Sequence, residues 1–327
     1  MVRNAWLPFL PALCALACAA APAQAAPPMP PDTAHAGGVP DDRPTPRVPL
    51  EHLPALAGDY FRIDSAYTGR PHHVYVRLPE GYAADPDRRW PVVYLLDGDS
   101  LFPLLAPTHL FLHYDEQLPE AIVVGIAYGS FDPAINRRHV DFSAPGPDTP
   151  DGEGGAPAFL AFLERELLPM VEGRHRADPG RRVLVGQSRS GYFVLWSALR
   201  RPDLFLGRVA SNPAFSRTRA DLFAEAAAHT RDDLAVVVAS GARDQAFRMD
   251  DARAWMDAWR AHGDRPWALH HEILADGTHA ASIGEAYRRA MLVLFRDGIT
   301  AAKAQTRAKD AASPAAPSRQ APVRPAP

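Results

Sequence analysis

Seven short runs of β-branched and aliphatic residues punctuate the middle of this chain: FRIDSAY, HHVYVRLP, PVVYLLDG, AIVVGIAY, RRVLVG, LAVVVASG and ALHHEILA. The first two alternate polar and apolar positions and are joined through Thr68-Gly69-Arg70-Pro71, the pattern of an antiparallel hairpin at a sheet edge. From the third onward the runs are almost continuously apolar, as strands covered on both faces must be. Helix-length stretches lie between and after them, over about 100 to 114, 156 to 172, 190 to 201, 250 to 262 and 280 to 296. A hairpin followed by repeated βα units predicts an α/β protein with a mostly parallel sheet and helices on both faces. One irregular stretch, 129 to 157, is too long for an ordinary connection in a compact domain and reads as a functional loop.

The ends have a different character. Residues 1–25 combine an early Arg3, an apolar core and the small-residue pattern Ala23-Gln24-Ala25, and read as a bacterial secretory signal peptide cleaved after Ala25. A lipoprotein signal ending at Cys18 is the rival reading, but Ala15 stands where a Leu is expected three positions upstream. Residues 26–49 and 299–327 are rich in Pro, Ala and polar residues without hydrophobic period, and read as a disordered leader and tail around a domain over 50–298. The predicted location is therefore periplasmic or secreted, with no membrane span once the signal is removed.

Composition narrows the chemistry. Net charge is −3 with both signs interleaved, which argues against nucleic acid and for a small-molecule substrate. Cys14 and Cys18, the two cysteines, fall in the signal segment, and the two lysines, Lys303 and Lys309, fall in the tail. Thiolate nucleophiles, cysteine zinc sites, Ser-Lys catalysis and Schiff-base chemistry are thereby removed from the predicted domain. No glycine-rich phosphate loop is present, so no nucleotide cofactor is expected.

In an open α/β sheet, ligands sit outside the carboxyl ends of the strands. The apolar runs end in Asp97-Gly98-Asp99, Gly186-Gln187-Ser188-Arg189-Ser190-Gly191, Gly241-Ala242-Arg243-Asp244 and Ala275-Asp276-Gly277-Thr278-His279. Read in chain order these supply a serine, an acid and a histidine, the order used by α/β hydrolases. A serine hydroxyl is a poor nucleophile until a histidine accepts its proton, and the histidine needs a carboxylate to fix its tautomer. A nucleophile on a sharp strand-to-helix turn also needs small neighbours two residues away on each side. Gly186 meets that need, and Ser190 stands where the usual motif has Gly.

The stretches VVYLLDGDSLF, FLERELLPMVEGRHRADPGRRVLVGQSRSGYFVLWSALRRPDLF, GARDQAF and GTHAAS resemble the putative-esterase family of α/β hydrolases, over roughly 58 to 297. That family includes esterase D, bacterial siderophore esterases and the mycolyltransferases, and the last of these also carry Ser then Gly at the end of the elbow. The resemblance implies the α/β-hydrolase fold and a catalytic triad: Ser188 as nucleophile, Asp244 as orienting acid and His279 as general base, with no cofactor or metal. It implies an oxyanion hole built from the backbone N–H groups of Asp99 and Arg189. The activity so implied is hydrolysis of a carboxylic ester through an acyl-enzyme, the substrate being a siderophore or a short-acyl ester. Acyl transfer of the mycolyltransferase kind, or a catalytically silent fold used for binding, are the alternatives. The Ser190 departure and Asn212, where the family often has Ser, hint at the silent reading.

Competing assignments remain. Asp250 or Asp251 could replace Asp244, and His270 and His271 compete with His279 but fall inside a strand. Asp97 is expected to anchor its loop through hydrogen bonds. Ser190 is read as a tolerated small residue, so Ser190→Gly is expected to leave turnover intact. Arg137 and Arg138 are candidate substrate-binding residues. His109 and His113 share one helical face, but without the metalloprotease signature they read as solvated, and Trp255 and Trp259 read as core. Oligomeric state is not legible.

Overall fold

The computed structural model describes residues 52–147, 149–215 and 219–312; the signal segment, the leader as far as residue 49, and residues 313–327 lie outside them. Among the described residues eight strands form one sheet: β1 Gly58–Asp64, β2 Pro71–Arg77, β3 Trp90–Leu95, β4 Ile122–Ala127, β5 Ala177–Gln187, β6 Gly207–Ser211, β7 Ala235–Gly241 and β8 Ala268–Leu274. Their order is β1-β2-β4-β3-β5-β6-β7-β8. The β1/β2 and β2/β4 pairs are antiparallel and every other pair is parallel. The hairpin thus occupies one edge of a parallel sheet, the arrangement of an α/β hydrolase.

Period-two alternation divides the core between the two faces. Val92 and Tyr94 of β3, Ile122, Val124 and Ile126 of β4, Leu184 of β5, and Val236 and Val238 of β7 belong to one cluster. Val93, Leu95, Val123, Val183, Val185 and Val237 belong to the other. The first is covered by α3 Ala156–Phe162, a π-helical turn Leu163–Leu167, α4 Leu168–Arg174, α5 Arg189–Arg200 and α6 Ala246–Ala261. The second is covered by α1 Gly98–Glu116, α7 Ile283–Leu294 and α8 Arg296–Ala312. A short helix α2, Arg138–Asp141, interrupts the long irregular stretch. Each large apolar side chain so buried contributes about 2 kcal/mol. Trp255 and Trp259 are among them, with both indole N–H groups donating to the Leu222 carbonyl.

Three expectations need correction. Strand β6, with the sequence GRVAS, was not among the seven runs because it is short and has an arginine at its second position. Arg208 is nonetheless fully buried, and its guanidinium donates to the carbonyls of Arg201, Pro202 and Phe205 at 2.6 to 3.1 Å while lying over the Phe205 ring. Burial pulls its pKa down to about 9. Residues 299 to 312 are helical rather than irregular, because alanine favours helix and Ile299 is buried in the second core cluster. His109 is not solvated: it is fully buried, accepts from the Tyr287 hydroxyl at Nδ1 (2.7 Å) and donates from Nε2 to the Pro119 carbonyl (3.1 Å).

Two buried imidazoles are held neutral. Burial lowers His109 to about 4, and lowers His72, which stacks on Phe162, to about 3. Between those values and 6.5, the unfolded chain binds protons at these positions that the folded protein does not. Stability therefore falls as pH falls through that window, by at most on the order of 1 kcal/mol per pH unit for each imidazole. His109→Gln, which keeps an acceptor and a donor, is expected to reduce the slope of urea-unfolding free energy between about pH 6 and about pH 5 by that amount. An unchanged slope would contradict the assignment.

Candidate active site

Ser188 sits between β5 and α5 with φ 57° and ψ −115°, outside the regions that an L-residue favours. Its N–H donates to the Ser211 carbonyl (2.9 Å), and its carbonyl accepts from Tyr192 and Ala214 (3.0 and 2.9 Å), so the turn is clamped on both sides. A Cβ added to Gly186 would stand 2.5 Å from the Ser190 carbonyl oxygen, which is why only glycine fits two residues before the serine.

Two further strand ends bring the other groups in. His279 Nε2 lies 2.9 Å from Ser188 Oγ, and His279 Nδ1 lies 2.6 Å from Asp244 Oδ2. The Asp244 side chain is nearly buried and also accepts from the Gln245 N–H (2.7 Å), so it is an acceptor fixed in place. With the carboxylate accepting, Nδ1 carries the imidazole proton and Nε2 is free to accept from the serine hydroxyl. The rival acids lie elsewhere: Asp250 is exposed beside Arg253, and Asp251 pairs with Arg219. His271 bonds Ser240 within the sheet.

Asp99 and Arg189 each lie in the first turn of a helix, α1 and α5, where backbone N–H groups have no partner within the helix. The Asp99 carboxylate accepts from the N–H groups of Tyr128 and Gly129 (2.8 and 2.7 Å), which ties this loop to the end of β4. The preceding Asp97 has left-handed backbone geometry, φ 53° and ψ 42°. Its carboxylate receives Arg138 Nε at 2.8 Å and Nη2 at 3.0 Å, and the Ser190 hydroxyl at 2.6 Å. Asp97 therefore anchors its loop as expected.

The two arginine candidates separate. Arg138 is committed to Asp97 by two hydrogen bonds, so it is a loop anchor rather than a free substrate contact. Arg137 keeps an Nε without a hydrogen-bond partner. The Arg189 side chain is also engaged, donating to Glu153, Ser143 and the His139 carbonyl at 3.0 to 3.2 Å and fastening the long loop beside the serine. That loop is held from its other side by the buried Asp141, which accepts from Tyr128 and Arg70; burial raises its carboxyl pKa.

Two polar residues take positions that the sequence reading did not assign to them. Asn212 follows β6 with φ 40°, and its amide donates to the carbonyls of His279 (2.9 Å) and Thr278 (3.3 Å) and to Ser282 Oγ (2.9 Å). Its Oδ1 accepts from the Gly241 N–H (2.7 Å), so one side chain joins the histidine loop to the acid strand. The Gln187 side chain donates to the same His279 carbonyl. Identifying β6 would have put Asn212 at a strand end and flagged it; instead it was read as a sign of inactivity.

A strained serine on a strand-to-helix turn, bonded through a histidine to an acid at strand ends along one edge of this sheet, is the arrangement that an α/β hydrolase site requires. The Putative esterase family model matches residues 65–281, and the chain belongs to that family. It is 29% identical to ferri-bacillibactin esterase of Bacillus subtilis over 58% of this chain and 72% of that one. It is 31% identical to siderophore triacetylfusarinine C esterase of Aspergillus fumigatus over 53% of this chain and 59% of that one. Among solved structures, an IroE-like serine hydrolase from Shewanella oneidensis superposes with TM-score 0.62 at 24% identity, covering 73% of this chain and 81% of the other. Siderophore hydrolase EstA of Aspergillus nidulans gives 0.62 at 21%, covering 72% and 93%.

Asn212→Ala removes the amide that holds the His279 carbonyl, and is expected to lower kcat on a chromogenic ester by ten- to a hundredfold, a loss of roughly that order following a small misplacement of the base. KM is expected to change little. Steady-state kinetics with unaltered kcat would remove Asn212 from the site.

Proposed function

We propose that this protein is an exported serine hydrolase that cleaves a carboxylic ester, of the siderophore type, through an acyl-enzyme. The observation that carries the reading is the relay from Ser188 Oγ through His279 to Asp244, at 2.9 and 2.6 Å. Ser188 Oγ attacks the carbonyl carbon as its proton passes to His279 Nε2, and the carbonyl π pair moves onto oxygen. The backbone N–H groups of Asp99 and Arg189 receive that oxyanion. When the intermediate collapses, the ester C–O bond breaks and His279 returns the proton to the departing alcohol. Water then repeats the sequence on the acyl-enzyme, releasing the acid and restoring the serine.

The rim supports a bulky substrate. Phe131 and Ile135, in the irregular stretch after β4, and Phe247, in the first turn of α6 after β7, are exposed beyond the carboxyl ends of their strands. Arg248 lies over the Phe247 ring, giving a surface suited to large ligands with aromatic and anionic groups. Relatives named as ferri-bacillibactin esterase and siderophore triacetylfusarinine C esterase support a siderophore ester as the substrate. Arg137 is the candidate cation for such a ligand. Asn212, read first as a hint of a silent fold, instead favours an assembled site through its bonds to the histidine loop.

Fluorophosphonate labelling and ester turnover test this reading together. Ser188→Ala is expected to lose labelling and to lower kcat by about 10⁴-fold or more. Within an ester panel, ferric siderophore esters are expected to give the highest kcat/KM, with free acid the main product even when an alcohol acceptor is added. Turnover by Ser188→Ala at the wild-type rate would overturn the mechanism, and a dominant transesterified product would favour acyl transfer.

Export rests on the N-terminal pattern ending in Ala23-Gln24-Ala25. Among the described residues no helix is long and apolar enough to cross a membrane. Intact mass of the protein recovered from the periplasm is expected to correspond to a chain starting at Ala26. A chain that keeps the first 25 residues in the cytoplasm would contradict it.

A further inference from the structure

The fifth residue of the elbow does more than stay small. Ser190 is fully buried at the start of α5, and its hydroxyl accepts from the Gln187 N–H at 2.8 Å. The same oxygen lies 2.6 Å from Asp97 Oδ2 and 2.9 Å from the Gln187 carbonyl. A hydroxyl has one proton, and the carboxylate is both the nearer and the charged acceptor, so the proton goes to Asp97. A short polar chain results: Gln187 N–H to Ser190 Oγ, then Ser190 O–H to Asp97, whose carboxylate also takes the two Arg138 bonds.

The ends of that chain are informative. Asp97 is the left-handed residue just before α1, whose first turn holds the Asp99 N–H. Ser190 lies in the first turn of α5, next to the Arg189 N–H. The hydroxyl therefore joins the two helix starts whose N–H groups must converge on one oxygen atom. Convergence matters because such donors act only when both sit 2.7 to 3.1 Å from the developing charge, roughly the tolerance of a single hydrogen bond. Glycine at this position would supply neither the acceptor for Gln187 nor the donor for Asp97.

We propose that Ser190 is a positioning residue for the oxyanion hole, its hydroxyl fixing the α1 start relative to the nucleophile turn through Asp97. This rests on the acyl-enzyme reading of Ser188 with backbone donors at Asp99 and Arg189. The sequence expectation that Ser190→Gly is silent is thereby replaced by its opposite.

The test compares the full-length wild type with Ser190→Gly, Ser190→Ala, Ser190→Cys, Asp97→Asn and the Ser190→Ala/Asp97→Asn pair on a p-nitrophenyl ester. Each is also titrated with an alkyl boronic acid, which forms a tetrahedral adduct with a serine. Each Ser190 variant is expected to lose about tenfold in kcat with KM within about twofold, and to bind the boronic acid about tenfold more weakly. The double variant is expected to lose little more than the worse single one, because both act through one bond. Ser190→Cys keeps nearly the same volume, so its loss separates the hydrogen bond from packing. Wild-type kcat in the Gly and Cys variants, or fully multiplicative losses in the pair, would overturn the proposal. Ser188→Ala run in parallel distinguishes the two levels: if it stays active the nucleophile reading fails, whereas an inactive Ser188→Ala beside a fully active Ser190→Gly overturns the Ser190 role alone.

Discussion

Ser188 holds φ 57° and ψ −115°, a backbone conformation that costs on the order of 1–3 kcal/mol for a residue with a side chain and persists only where its surroundings impose it. Those surroundings are three backbone hydrogen bonds, to Ser211, Tyr192 and Ala214, and the absence of a side chain at Gly186. Each bond contributes about 1 kcal/mol net, so together they offset the strain. What the strain secures is direction: the hydroxyl stands clear of the sheet edge, where residues from other strand ends can reach it.

The rest of the site follows from which strands are neighbours. β5 lies beside β6 and β6 beside β7, so the serine turn, Asn212 and the acid loop occupy consecutive positions along one edge. β8 closes the row and delivers His279, while β3, on the other side of β5, delivers Asp97 and the start of α1. Side chains then lock these loops to one another. Asn212 and Gln187 hold the histidine loop by its carbonyl, and Asp97 gathers Arg138 and Ser190. Arg189 and Asp141 fasten the long loop that borders the serine. The geometry of this candidate site is a property of loops cross-linked by hydrogen bonds above the sheet.

Much of this was legible in the residues alone. Largely apolar runs marked every parallel strand but β6, alternation marked the hairpin, and the residues just beyond those runs pointed to Ser188, Asp244 and His279, because those signals are local. What was not legible depends on partners distant in sequence. Arg208 is the exception: it hid strand β6 although the three carbonyls that satisfy its charge lie only three to seven residues upstream, because residue type alone does not show the chain turning back to present them. His109 looked solvated because Tyr287, its partner, lies 178 residues away. Arg138 looked free until Asp97, 41 residues away, was found beside it. Ser190 looked like a mere small residue for the same reason, its acceptor lying 93 residues away. Residue type announces the capacity for a hydrogen bond, and only the fold says where that capacity is spent.

The central claim is that Ser188 becomes covalently acylated during turnover. The most direct measurement is the intact and peptide mass of enzyme quenched by acid during turnover of a slowly deacylated ester. An added mass equal to the acyl group, located on the peptide containing Ser188 and absent from Ser188→Ala, is the predicted result. Steady turnover with no adduct, or an adduct on another residue, would contradict the account.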